Sequence, residues 1–206
     1  LRRGRLQSRA CRKSCRESAI IEVQPTVHIG ENAAAVRKQS VETILNALTQ
    51  ARVRYLVVGG VAVVAHGYIR FTADIDLVLD PERESLGRAV EALSALGYRP
   101  RAPVPFADFE NREKRQQWIR EKGLTVFSLF SAEHPATEID LFVEPPFDFE
   151  RAYAQAVRLE IGPDVNATFV SRADLVEMKR RAGRPQDLAD LAGLDASDEG
   201  RGEHDD

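Results

Sequence analysis

Between residues 31 and 194 the apolar positions change period repeatedly, from helix-like to strand-like and back. Val36, Ile44, Leu45 and Leu48 recur at roughly helical spacing and predict a helix over 31–51. Tyr55–Val58 is a short apolar run ending in Gly59-Gly60, the pattern of a buried strand. A short helix over 61–66 follows, stopped by Gly67. Residues 74–79, DIDLVL, alternate cleanly and predict a second strand. Pro81 opens a helix to about Leu96, which Gly97 ends. Residues 108–122 predict a charged helix. TVFSLF (125–130) and TEIDLFV (137–143) predict a hairpin across Ala132–Ala136. After Pro145-Pro146 come a helix over 148–158 and a last strand over 167–170. Ser171 with Asp174 forms a capping box for a helix through Ala182, and a final helix spans about 186–193. The alternation predicts an α/β fold with a small sheet flanked by helices.

Composition narrows the class. At 206 residues and 43% hydrophobic, the chain suits one domain with a sizeable core. No stretch approaches the roughly 20 apolar residues of a membrane span. The two cysteines, Cys11 and Cys15, provide no disulfide framework, so a reducing, cytoplasmic setting is expected.

The net charge of −3 is unevenly spread. Residues 1–20 carry +6, residues 195–206 carry −5 and the body carries −4. Residues 1–30 are expected to be a disordered basic arm, and 195–206 a disordered acidic tail around a domain at 31–194. A mildly acidic body argues against a broad duplex-binding surface.

Three carboxylates carry the candidate chemistry. Asp74 and Asp76 lie two apart on a strand and share one face, roughly 6–7 Å apart. Ile75, Leu77 and Leu79 take the core face. In TEIDLFV, Ile139, Leu141 and Val143 are the core set, so Asp140 projects the other way. Were the two strands neighbours, three acids would converge on one patch able to bracket divalent cations. The plainer reading is solvent-facing acids at strand ends. Gly59-Gly60, with thirteen residues separating Gly60 from Asp74, adds backbone that a phosphate can approach closely.

The string GGVAVVAHGYIRFTADIDLVLD resembles the signature of the DNA polymerase β-type nucleotidyltransferase superfamily. The resemblance implies that fold, a mixed sheet flanked by helices with a C-terminal helical extension. It implies that Gly59 and Gly60 hold a nucleoside triphosphate. Asp74 and Asp76 would ligate Mg²⁺ or Mn²⁺, with Asp140 as the third acid. HGYIRFTADID, with Arg70, Thr72, Asp74 and Asp76, is most similar to the branch of AbiEii-like abortive-infection toxins. LVEMKRRAGRPQDLADL matches the branch's later motif at Lys179, Arg184, Asp187 and Asp190, with Gln186 where a Lys is common. Lys179 is thereby a candidate for phosphate charge, and Arg70 and Thr72 are candidates for nucleotide contact.

The implied activity is metal-dependent transfer of a nucleoside monophosphate to an acceptor hydroxyl, on an RNA end or a protein side chain. An antitoxin protein is the implied partner, and no membrane is involved. The alternative is a catalytically inactive binding or regulatory protein of the same fold. Three further candidates have weaker claims. His66 suits a helix end structurally. Asp187 and Asp190 either orient Lys179 or cap the last helix. Arg112, Lys114, Arg115, Arg120 and Lys122, with Trp118, form either an RNA-contacting cluster or a solvated helix face.

Overall fold

The computed structural model describes residues 37–199, so the expectations for the basic arm, Cys11 and Cys15 lie outside the described residues. The first helix, α1 (Lys38–Gln50), buries Val41, Ile44, Leu45 and Leu48 along one stripe. Strand β1 (Tyr55–Val58) is wholly buried and passes directly into α2 (Gly59–Ala65). Then come β2 (Asp74–Leu79), α3 (Arg83–Ala95) and a two-residue strand β3 (Arg99–Pro100). A 3-10 turn at Phe106–Glu110 precedes α4 (Arg112–Lys122), whose N-terminus is capped by the Asn111 side chain accepting from the Lys114 N–H. β4 (Val126–Phe130), β5 (Glu138–Phe142), α5 (Phe149–Ala154), β6 (Val157–Gly162) and β7 (Val165–Phe169) follow. The chain closes with α6 (Arg172–Ala182) and α7 (Pro185–Glu199).

The strands form one seven-stranded mixed sheet in the order β3-β4-β5-β2-β1-β7-β6. β1 is antiparallel to β2 and parallel to β7; β2 is parallel to β5. The predicted hairpin forms as β4 and β5, with Phe127 opposite Leu141 and Ser128 opposite Asp140. Strand alternation drives the core: Ile75, Leu77, Phe127, Leu129, Ile139 and Leu141 are all buried. Phe127 packs between Phe109 and Trp118, each 5.2 Å away by ring centroid. Among the described residues no helix is long and apolar enough to cross a membrane.

Three expectations need correction. The helix expected over 148–158 ends at Ala154, and Val157 starts β6, which pairs antiparallel with β7. Apolar periodicity misses this because β6 is an edge strand whose Val157, Arg158 and Glu160 are exposed. The last helix runs to Glu199, so the acidic segment begins as helix; residues 200–206 lie outside the described residues. The basic run on α4 is also not a uniformly solvated face. Arg115 and Trp118 are buried, and the Arg115 guanidinium donates to the carbonyls of Val143 and Phe109.

Candidate active site

Parallel pairing of β2 with β5 sets Asp74 opposite Glu138 and Asp76 opposite Asp140. The convergence that depended on strand adjacency is therefore realised. Asp74, Asp76 and Asp140 line one open cleft of about 840 Å³ together with Gly59, Gly60, Arg70, Thr72 and Lys179. Arg184 and Asp187 also line it, whereas His66, Asp190 and the basic run on α4 do not.

The glycines also have a packing reason. Gly59 has a positive φ of 62°, and a Cβ there would fall on the Asp76 carboxylate. A Cβ on Gly60 would collide with the Thr72 hydroxyl and lie 2.7 Å from an Arg70 guanidinium nitrogen. The missing side chains thus let Asp76, Thr72 and Arg70 close over the backbone. The Gly60 N–H is itself bonded to Asp76.

Charge in the trio is compressed. Burial pushes Asp76 up to about 6, and repulsion from Asp74 and Asp140 adds to it; the Gly60 bond and the Lys179 charge oppose. Burial likewise raises Asp140, opposed by a hydrogen bond from Ser128 and assisted by Asp74. The Thr72 hydroxyl lies 3.1 Å from Asp74 Oδ1 and donates to it, which orients that carboxylate.

Lys179 is buried, not solvent-facing. Its ammonium stands 3.1 Å from Asp187 Oδ1 and 2.7 Å from Asp190 Oδ2, both on α7. Asp190 also receives Arg70, whose Nε lies 2.8 Å from Oδ1. One carboxylate therefore bridges a cation from the loop before β2 and a cation from α6. Asp187 in turn accepts from the Arg184 guanidinium at 2.8 Å and from the Arg184 N–H. Burial works to raise Asp187, but the bonds from Arg184 and Lys179 hold it below the usual carboxylate range. Of the two roles open to Asp187 and Asp190, both orient Lys179. His66 takes its structural role: its Nε2 is 2.9 Å from the Val170 carbonyl.

Sequence reasoning gives no site role to Ser128, Phe142 or Arg181. Ser128 becomes visible once the hairpin register sets it opposite Asp140. Phe142 and Arg181 line the cleft but belong to no chemical motif.

The residues fit a divalent cation. Among the described residues no group of three His, Cys, Asp or Glu side chains gathers closely enough to hold a metal alone. Mg²⁺ ordinarily takes one or two carboxylates and completes its shell with water and phosphate oxygens. Asp74 and Asp76 would supply that pair, and a cation would relieve the repulsion that adds to burial in raising Asp76.

A solved structure shares this architecture. The lincosamide antibiotic adenylyltransferase LnuA, solved with lincomycin bound, matches with a TM-score of 0.53 at 14% identity. The match covers 78% of this chain and 98% of that one. The fold is that of the nucleotidyltransferases. ANT(2")-Ia in complex with adenylyl-2"-tobramycin matches with a TM-score of 0.48 at 14% identity, over 78% of this chain and 88% of that one. An antigenic nucleotidyltransferase-like protein from Paracoccidioides brasiliensis gives 0.47 at 16%, over 76% and 74%. No family model matches the chain, and no curated protein matches it in sequence.

Proposed function

We propose that the chain transfers a nucleoside monophosphate from an NTP to an acceptor hydroxyl, releasing pyrophosphate. The observation that carries this reading is the convergence of Asp74, Asp76 and Asp140 beside Gly59-Gly60 in one cleft. Mg²⁺ or Mn²⁺ held by Asp74 and Asp76, with Asp140 as third acid, would neutralise the triphosphate and favour ionisation of the acceptor.

The chain's own residues do the remaining work. Thr72 holds Asp74 in place, and Gly59 leaves Asp76 the room it occupies. Asp140, raised by burial, is suited to take the acceptor's proton. Arg70 and Lys179, tied together through Asp190, form a positive frame for the phosphates. Arg184, largely exposed at the mouth and held by Asp187, adds a further cation to that frame.

The resemblance to abortive-infection toxins supports an RNA end or a protein side chain as acceptor, and an antitoxin protein as partner. Dependence on NTP supports a cytoplasmic site of action. The test is incubation with each labelled NTP and Mg²⁺, offering total RNA or total protein, with Asp76→Asn alongside. Label transferred by the native chain and not by the variant supports the reading. No transfer to either pool, with no NTP-dependent rise in Tm, overturns it.

A further inference from the structure

The cleft sorts its chemistry across the strands. Arg70 lies against Gly60, and Lys179 and Arg184 act on Asp76. These cations stand on the β1–β2 side of the acid trio. The charged groups around Asp140 include Asp76, directly opposite, with Asp74, Glu138 and Arg101, and Arg101 is tied to Glu138. The surface continuing from Asp140 is apolar. Phe142, two residues further along β5, shares its face. Val126 sits opposite Phe142 on β4, and Pro146 and Met178 complete the wall. Phe142, Val126 and Met178 are half-buried, so they offer the cleft apolar area that the core does not use.

We propose that this wall of Val126, Phe142, Pro146 and Met178 is the acceptor subsite, taking a hydroxyl carried on an apolar body, of which a tyrosine phenol is the plainest case. The inference rests on the nucleotidyl-transfer reading above. In an in-line displacement the entering and leaving oxygens stand on opposite sides of the α-phosphorus. Pyrophosphate leaves towards the cations, so the acceptor oxygen enters from the Asp140 side. There the bond from the acceptor oxygen to the α-phosphorus forms as the α-phosphorus–pyrophosphate oxygen bond breaks. The hydroxyl proton passes to Asp140, and pyrophosphate carries away the displaced electron pair. The body of the acceptor then rests on Phe142 and Val126, where apolar contact is favourable.

The native full chain is given each NTP with Mg²⁺ and one of three acceptors: N-acetyltyrosinamide, a tyrosine-bearing peptide, or a short single-stranded RNA with a free 3′ hydroxyl. The first two distinguish a free phenol from a protein side chain. Nucleotidylated product is read by mass. Binding of N-acetyltyrosinamide to the metal-free protein is read separately by saturation-transfer NMR.

Nucleotidylation of a phenol is expected, with Phe142→Ala raising its KM about tenfold and Phe142→Leu recovering part of the loss. Val126→Lys, at a half-exposed strand position, should abolish the NMR signal and leave the NTP-induced rise in Tm unchanged. Transfer to RNA alone overturns the inference. So does a loss of NTP-induced stabilisation in Phe142→Ala or Val126→Lys with phenol binding intact, since the wall would then hold the nucleobase. A native chain that neither gains stability with NTP nor modifies any acceptor overturns the nucleotidyl-transfer reading itself.

Discussion

Asp76 on β2 stands directly opposite Asp140 on β5, and the two strands run parallel. A parallel pair cannot be closed by a tight turn, so these acids meet across a long crossover. The site is therefore a product of sheet order, and its stability should respond to charge.

The first prediction concerns that charge. Asp76 has its usual 3.8 raised to about 6, so the folded protein holds the proton more tightly than the unfolded chain. The sign follows: stability is lost as pH rises from about 4 through 6, a penalty of about 3 kcal/mol when complete. In EDTA, Asp76→Asn should come close to the native chain near pH 4 and exceed it by about 3 kcal/mol at pH 7.5. Urea denaturation across pH checks this. Asp76→Asn less stable than native at pH 7.5 would mean that the carboxylate is a structural acceptor.

Lys179→Ala should cost about 3 kcal/mol or more of stability, since it strips a buried partner from Asp187 and Asp190. The double variant Lys179→Met with Asp190→Asn should recover part of the loss, because both charges then go. Chemical denaturation of the three proteins decides the matter. A Lys179→Ala protein of native stability would show that these contacts contribute little.

Gly59→Ala forces a Cβ into a left-handed position and onto the Asp76 carboxylate. The backbone strain alone is about 1 kcal/mol. Displacement of Asp76 should also remove Mg²⁺-dependent stabilisation by NTP. Thermal melts with and without Mg²⁺ and NTP measure both effects. A variant that still melts higher with Mg²⁺ and NTP would free Asp76 from the metal role.

Arg115→Met should destabilise the protein by about 2 kcal/mol, because the carbonyls of Val143 and Phe109 lose a buried donor. RNA retention on a filter should not change. Weaker retention at native stability would restore the RNA-contact reading of this arginine.

Much of the local structure was legible in the chain. The alternation of DIDL and EIDLF decided which residues face the core, and Ser171 announced the start of α6 by capping it. These are short-range effects, set by side-chain period and by backbone N–H groups seeking a nearby oxygen. The acid pair and the glycine pair were equally visible, because their spacing alone puts them at the ends of adjacent elements.

Pairing across the chain was not legible. β6 reads as the end of a helix because an edge strand is defined by its neighbour β7 and not by its own apolar period. Trp118 and Arg115 sit in a run that reads as solvated, yet the ring stacks on Phe127 and the guanidinium reaches carbonyls on two other segments. The fate of Lys179 was likewise open: a lysine on a helix carries no sign of burial until α7 folds back and encloses it with Asp187 and Asp190. The sequence by itself determined which residues are the candidates for the chemistry and which face of each strand they take. Only the tertiary structure decided that Asp140 joins Asp74 and Asp76, and that Asp190 gathers Arg70 and Lys179, because strand order and helix docking follow from the summed burial of the whole core.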